Sequence, residues 1–434
     1  MAVFKSVIGS ALVVLVAACS SSTPEPGNGA GGAGASATGS GAIAGGGGAP
    51  LAGAGGSSGS VAAGGVSGVG GASGVGGASG AAGTGGMAGS GATCMPPADV
   101  FSPITKLSQT GCVDPTNPTK PTSVAVSYEV NSPLWSDSAD KTRAFVLPAG
   151  TKIHVRNCPA NAPNPADCPN GTGDDGRWSF PVGSVMIKTF AFDGKLVETR
   201  LFMHVDASNW VGYSYQWDEA QTEATLVDGS GAEVMFNTQK RVVDWHYPSQ
   251  KDCLNCHNNA AGSTLGPETA QLNRTVAGMN QIDKIATLGL FETAPAMPYK
   301  AALVAPYPGQ ADDPPSTATT EQKARSYLHA NCGFCHRPGG NFANFDLRND
   351  TAIKDMLICN ADSTKGAIEN APGKTKLLTP GKEMDSLMWL RMNEPDPLKG
   401  RMPQVASFAV DQSAVGVVGD WIKALTTTTC PSSP

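Results

Sequence analysis

Short apolar runs separated by turn residues fill the chain between residues 113 and 250. The runs are rich in Val, Tyr, Phe, Thr and Trp, and they are bounded by Gly, Pro, Asn and Asp, which is typical of β-strands. The clearest runs are 123–130, 152–155, 184–192, 196–205 and 210–217. Asp193-Gly194 between two of them predicts a hairpin with a type I′ turn. Many short strands at this spacing predict a β-sandwich.

After residue 250 the spacing of apolar positions becomes helical. Residues 321–331 predict a helix that runs into Cys332, with Thr319 or Thr320 as its N-cap. Asp411 is a candidate cap for a second helix with one apolar face, formed by Val415, Val418, Ile422 and Leu425. The predicted fold class is therefore α+β and multidomain: a β-sandwich-like domain over 94–247, then two mainly α-helical regions over 248–318 and 319–434.

The first 93 residues do not have the pattern of a folded domain. Residues 1–18 have a basic residue, Lys5, followed by an apolar run that is too short to span a membrane. This pattern predicts a signal peptide. Residues 19–93 are mostly Gly, Ala and Ser, and they bury too little apolar surface to order, which predicts a flexible tether.

The end of the signal peptide, Val16-Ala17-Ala18-Cys19, resembles the bacterial lipobox, in which the cysteine receives lipid. Because Ser20 rather than Asp follows Cys19, the resemblance implies retention in the outer membrane, either facing the periplasm or exposed at the surface. The alternative is an ordinary secretory signal that is cleaved nearby. The net charge of −6 argues against nucleic acid and against a basic membrane-binding surface, so the expected membrane contact is the lipid anchor only.

Two Cys-x-x-Cys-His motifs carry the candidate chemistry of the chain. They are Cys253-Leu254-Asn255-Cys256-His257 and Cys332-Gly333-Phe334-Cys335-His336. In such a motif the two thiols reach the two vinyl groups of one haem, and the adjacent histidine ligates the iron. The sequence therefore predicts two covalently bound haems c, with His257 and His336 as iron ligands. A zinc site is one alternative, but it does not explain the histidine after both pairs; a redox-active disulfide is the other.

The second axial ligands are less clearly specified by the sequence. Met402 precedes Pro403 just ahead of the predicted C-terminal helix, which predicts a ligand for the second haem. The alternative is a methionine packed in the core. For the first haem Met297 is the leading candidate, with Met279 and His246 as alternatives; if none of them ligates, that iron is open. Two arginines, Arg337 and Arg401, are candidates for pairing with haem propionates, and solvated surface residues are the alternative.

The remaining cysteines predict disulfides. Of the eleven cysteines, Cys19 and the four motif cysteines leave six, and an even remainder in an exported chain suggests three disulfides. The expected pairs are Cys158–Cys168, Cys94–Cys112 and Cys359–Cys430, out of fifteen possible connectivities.

Beyond the motifs, the body of the chain resembles a group of exported dihaem c-type cytochrome proteins that join a β-rich region to tandem haem c domains. The segments that carry this resemblance are 131–137 (NSPLWSD), 198–201 (ETRL), 210–213 (WVGY), 271–274 (QLNR) and 324–328 (ARSYL). The resemblance implies a first haem c region over 248–318 and a second, class I cytochrome c-like domain over 319–434. It implies no particular reaction.

These observations favour electron transfer in the cell envelope, with redox partner proteins as the expected partners. A dihaem peroxidase or oxidase is an alternative and requires one open iron, so the sequence leaves open whether the chain is an enzyme. A further alternative is a binding module whose β-domain recognises a glycan or a partner protein and delivers the haems to it.

Overall fold

A six-stranded antiparallel sheet is the largest element of the computed structural model, which describes residues 93–156, 176–308, 317–404 and 407–432. The strands in these ranges are β1 (Val113–Asp114), β2 (Asn117–Pro121), β3 (Val126–Ser127), β4 (Asp140–Val146), β5 (His154–Val155), β6 (Trp178–Ser179), β7 (Val185–Phe192), β8 (Lys195–Asp206), β9 (Asn209–Trp217), β10 (Ala224–Leu226), β11 (Ala232–Asn237), β12 (Val242–Tyr247), β13 (Thr275–Val276) and β14 (Met279–Asn280). The α-helices are α1 (Gln250–Cys256), α2 (Thr269–Leu272), α3 (Gln281–Thr287), α4 (Thr320–Asn331), α5 (Leu387–Met392) and α6 (Gln412–Ala424).

The strands of this sheet follow the order β10-β9-β8-β7-β4-β3. The predicted hairpin connects β7 to β8, where Phe192 pairs with Lys195. Asp193 and Gly194 between them have φ of 50° and 79°, as a type I′ turn requires, so this prediction is confirmed. The tight turn fixes the register of the two longest paired strands.

Both faces of the sheet are buried. One face, with Ile187 and Leu201, packs against the segment that contains Leu107. The opposite face, with Phe145, Met186 and Phe202, packs against apolar residues that come after the first motif, namely Leu272, Ile282, Ile285 and Phe291. The first motif region therefore shares a hydrophobic core with the sheet.

The predicted fold class, a β-sandwich-like domain followed by two mainly α-helical haem domains, is wrong. The described residues are β-rich, with 25% strand and 21% helix, and they include a six-stranded sheet. After residue 250 the first three helices have only 7, 4 and 7 residues. Helices this short gain their stability from tertiary packing, and here the sheet supplies the apolar surface that they cover.

Two individual helix predictions are confirmed. Helix α4 begins at Thr320 with Thr319 as its N-cap, and it ends at Asn331 directly before Cys332. Helix α6 is capped by Asp411, whose carboxylate accepts a hydrogen bond from the Ala414 amide. The two helices pack together in one core, through Ala324, Leu328, Val418 and Ile422 among others.

Two of the three predicted disulfides are present, Cys94–Cys112 and Cys359–Cys430. The third predicted pair, Cys158–Cys168, lies outside the described residues, as do the predicted signal peptide, Cys19 and the tether apart from its last residue. No helix of the described ranges is long and apolar enough to cross a membrane.

Removing the Cys359–Cys430 disulfide is expected to lower the free energy of unfolding by about 4 kcal/mol, because it closes the larger loop in the unfolded chain. Its two cysteines are separated by 71 positions, against 18 for Cys94–Cys112, for which the expected loss is about 3 kcal/mol. Urea unfolding of the two double-serine variants measures both losses. Equal stability of the Cys359–Cys430 variant and the parent chain would contradict the prediction.

Candidate functional site

The first motif lies on α1 and on the residue that ends it. Ser249 caps this helix in a capping box with Asp252. The helix therefore begins at Gln250, three residues before Cys253. His257 follows as the C-cap residue. The helix packs on strand β9 at Gly212, where an added Cβ atom would lie 2.6 Å from the Cys253 Sγ. Glycine at this position therefore allows Cys253 to approach the sheet backbone.

A cavity that is partly open to solvent lies between the first motif and the sheet. Cys253, Cys256 and His257 line one side of it. Side chains of four neighbouring strands line the other side, including Arg143, Met186, Lys188, Arg200 and Phe202. The walls are thus mostly apolar with a few basic groups, as in the pocket of a large, mainly apolar ligand.

The imidazole of His257 is fixed in one orientation and one tautomer. Its Nδ1 lies 2.5 Å from the carbonyl oxygen of Ser263. Because a carbonyl only accepts hydrogen bonds, Nδ1 donates and the lone pair remains on Nε2. The ring contacts Phe202, with 4.2 Å between the ring centroids, and burial lowers the pKa of His257 to about 4. A neutral imidazole with a free Nε2 is the form that ligates a metal.

The second motif follows the end of α4 and has the same arrangement around its histidine. The Nδ1 of His336 lies 3.2 Å from the carbonyl oxygen of Phe342, and the ring stacks on Phe345 with 4.2 Å between centroids. Burial lowers the pKa of His336 to about 4. In both motifs the histidine donates to the carbonyl six residues later, so Nε2 of His336 is also free to accept.

The structure brings Met402 to the second motif. A cavity that is partly open to solvent is lined by Cys332, Cys335, His336 and Met402, so the predicted histidine and methionine ligands share one cavity. Asn255 of the first motif also lines it.

The loop around Met402 is held by Arg401 and Asp137. The guanidinium of the fully buried Arg401 donates to the carbonyl oxygens of Pro395, Ser407 and Phe408. Asp137, from the segment between β3 and β4, accepts hydrogen bonds from the amides of Phe408 and Ala409, at 3.0 and 2.7 Å. The segment from the β-rich part of the chain therefore positions the loop that follows Met402.

The same segment also reaches the start of the second motif. The Trp135 amide donates to the side-chain oxygen of Asn331 at 2.6 Å, and its indole donates to the Ala409 carbonyl at 2.9 Å. Asn331 directly precedes Cys332. Trp135 thus connects the helix that leads into the motif with the loop that follows Met402.

The two motifs contact each other directly. The carbonyl oxygen of Asn255 accepts hydrogen bonds from the Cys335 thiol, at 3.3 Å, and from the Asn341 amide, at 2.8 Å. In the opposite direction, the side-chain amide of Asn258 donates to the Phe334 carbonyl at 3.0 Å. Cys256 and Phe334 lie in one buried cluster, and Cys335 packs against it. The two Cys-x-x-Cys-His motifs therefore form a single site.

The four motif thiols are not paired as disulfides. Burial raises the pKa of Cys256 and of Cys332 to about 12, and that of Cys335 to about 11. Redox-active Cys-x-x-Cys pairs have the opposite shift, because they need a thiolate at neutral pH. Within the described ranges no group of three or more His, Cys, Asp or Glu side chains comes together as metal ligands would.

The structure does not bring the sequence candidates for the sixth ligand of the first haem to its cavity. Met297 is 73% exposed and Met279 is 50% exposed. His246 lies beside Asp252, with 3.5 Å between its Nε2 and the carboxylate, and none of the three lines the first cavity. Arg337 and Arg401 are both fully buried, so neither is a solvated surface residue.

Sequence reasoning did not identify the residues of the sheet that line the first cavity. Lys188 and Arg200 interrupt apolar strands, and a charged side chain in such a run is the signal that was available. Their arrangement on one face depends on the pairing of strands, which the sequence does not specify.

These residues fit a covalently attached haem at each motif. Each motif has two free thiols next to a histidine whose Nε2 is free, and each faces a cavity. Comparisons with protein-family models, with curated proteins and with solved structures gave no match.

If the first motif attaches a haem, as the sequence predicts, changing Gly212 to alanine is expected to reduce that attachment. The new Cβ would lie 2.6 Å from the Cys253 Sγ and 3.3 Å from its Cβ, so the reacting sulfur must move. Intact-mass measurement of the mature chain is expected to give mainly the one-haem species. Gly416→Ala on α6 is the matched control, because an added Cβ meets no atom within 4 Å there, and its haem content should not change. Full occupancy in the Gly212→Ala variant would contradict the prediction.

Proposed function

We propose that this chain is a dihaem c-type cytochrome of the cell envelope that transfers electrons between redox partner proteins and is anchored through lipidated Cys19. A haem at each motif supplies one-electron redox chemistry when it is bound. The observation that carries the proposal is the direct contact of the two motif regions: the side-chain amide of Asn258 donates to the Phe334 carbonyl, and that of Asn341 donates to the Asn255 carbonyl. The contact favours transfer within the chain, because electron transfer between centres is faster when their edges are closer.

The residues of the chain have separate parts in this proposal. Cys253 and Cys256 would hold the vinyl edge of the first haem, and Cys332 and Cys335 would hold the vinyl edge of the second. The carbonyls of Ser263 and Phe342 hold His257 and His336 through the Nδ1 hydrogen bonds, which leave Nε2 to bind iron and would increase the basicity of that nitrogen. Met402 is the proposed sixth ligand of the second haem, and this type of ligation raises the potential.

The direct test is expression of the full chain in a host with a working haem-attachment system. The mature protein is expected to be coloured, to have a mass increased by two haems, and to titrate with two redox components. A colourless protein, or one that contains stoichiometric zinc, would contradict the proposal.

A haem-dependent oxidoreductase is the second candidate function. It is favoured by one observation, that Met297, Met279 and His246 do not line the first cavity. An open first iron should bind CO rapidly in the reduced form, and its ferric spectrum should shift when peroxide is added. Spectra unaffected by either ligand would exclude this candidate and leave electron transfer.

A further inference from the structure

Three basic side chains form a row across the face of the sheet that lines the first cavity. Arg143 on β4 pairs with Lys188 on β7, and Lys188 pairs with Arg200 on β8. All three line the cavity. This set, here termed the basic row, places three like charges on directly opposite positions, which destabilises a sheet unless anions compensate them.

Two members of the basic row have an acidic partner. Arg200 makes a bidentate pair with the buried Glu198, at 2.7 and 2.8 Å. Arg143 lies 3.7 Å from Glu129. Lys188 has no ion pair or hydrogen bond with a described residue, and its ammonium lies 4.9 Å from the centre of the Phe190 ring.

Burial, followed by the charges of Arg143, Lys141 and Arg200, holds the pKa of Lys188 well below its usual range. Glu198 opposes this shift but pairs with Arg200, so the middle of the basic row lacks a directly paired anion.

The next row on the same face is apolar and ends at the attachment cysteine. It consists of the cross-strand partners Phe145, Met186, Phe202 and Gly212, and Cys253 packs on the last of them. Lys188 lies two strands from Gly212 and Arg143 lies three strands away, so about 10–15 Å of sheet separates them from the thioether position. A haem has a matching asymmetry, with vinyl groups on one edge and two carboxylates on the opposite edge.

We propose that Lys188 and Arg143 bind the propionate carboxylates of the first haem and raise its reduction potential. The inference rests on the proposed function, since it requires a haem at the first motif. Reduction adds one negative charge to the haem, and nearby cations stabilise that added charge. Arg200 contributes less, because Glu198 already neutralises it.

The test is a redox titration of the haem-loaded full chain with Lys188→Met, which removes the charge and keeps most of the side-chain volume. At a fixed potential we expect the reduced-to-oxidised ratio of the first haem to fall by about tenfold, which is about 59 mV for one electron. Lys188→Arg should restore most of the potential. Lys195→Met is the matched control, because Lys195 is an exposed lysine at the start of β8, and it should change neither component.

Several outcomes separate this inference from the proposed function. A parent chain without haem refutes the proposed function. Two attached haems with an unchanged titration in Lys188→Met refute the propionate role alone. A change of the first iron from low spin to high spin in the same variant also refutes it, because that change would make Lys188 a ligand of the iron. If Lys188→Met does not accumulate, Arg143→Gln provides the same test, with a smaller expected shift because Glu129 partly compensates Arg143; an unchanged first component in that variant refutes the inference.

Discussion

Serine at both Cys253 and Cys256 is expected to leave the chain with one haem instead of two, and the same change at Cys332 and Cys335 is expected to remove the other. In the proposed dihaem chain each haem would be held by two thioether bonds, and a single imidazole bond would not keep it through denaturation. Intact-mass measurement and the absorbance of the alkaline pyridine derivative count the haems in each variant.

The matched control for these variants removes two cysteines outside the motifs. Cys94→Ser with Cys112→Ser deletes a disulfide at the far face of the sheet, and the chain should keep both haems. Two haems in either motif variant, or one haem in the control, would contradict the assignment of the attachment sites.

The same variants test whether the two haems interact. Because Asn258 of the first motif region bonds to Phe334 of the second motif, and Asn341 bonds to Asn255, two paramagnetic irons attached at the motifs would be close enough to perturb each other. The parent spectrum in electron paramagnetic resonance is therefore expected to differ from the sum of the two one-haem spectra. A parent spectrum equal to that sum would place the haems apart and would remove the main support for transfer between them.

The features of the site that the sequence predicted are local ones. A Cys-x-x-Cys-His motif contains both attachment thiols and the proximal ligand, and capping residues such as Thr319 and Asp411 define helix starts within a few positions. The hairpin at Asp193-Gly194 is equally local. The disulfides of the described ranges were also among the predicted pairs.

The wall of the first cavity was not predictable, because it depends on strand pairing. The residues Lys188 and Arg200 become neighbours only through the register of β7 and β8, and Arg143 joins them through β4. The short helices around the first motif have apolar positions like those of an independent helical domain. Sequence periodicity does not reveal that those positions cover a sheet.

The two Met-Pro sequences illustrate the same limit. Met297 and Met402 each directly precede a proline, yet Met297 is 73% exposed and Met402 lines the cavity of His336. The difference comes from distant contacts: Arg401 and Asp137 hold the backbone near Met402, and Asp137 is contributed by the segment between β3 and β4. Local spacing alone does not contain these contacts.

Replacing Met402 with alanine is therefore expected to lower the potential of one redox component by on the order of 0.1 V, within the range of about 0.8 V that axial ligands span. A thioether ligand favours the reduced iron, and alanine leaves that position to water or to no ligand. A spectroelectrochemical titration measures both components, and the absorption band in the far red that accompanies methionine ligation of ferric haem should disappear.

Met297→Ala is the matched control for this change, since it alters an exposed methionine in the same Met-Pro context and should leave both components unchanged. Asp137→Asn should give an intermediate result, because its weaker acceptor holds the amides of Phe408 and Ala409 less firmly. An unchanged titration in Met402→Ala would remove Met402 from the ligand set. A lower potential of one component in Met297→Ala would instead support Met297 as the sixth ligand of the first haem. The loop around Met297 would then have to move from the surface to the cavity.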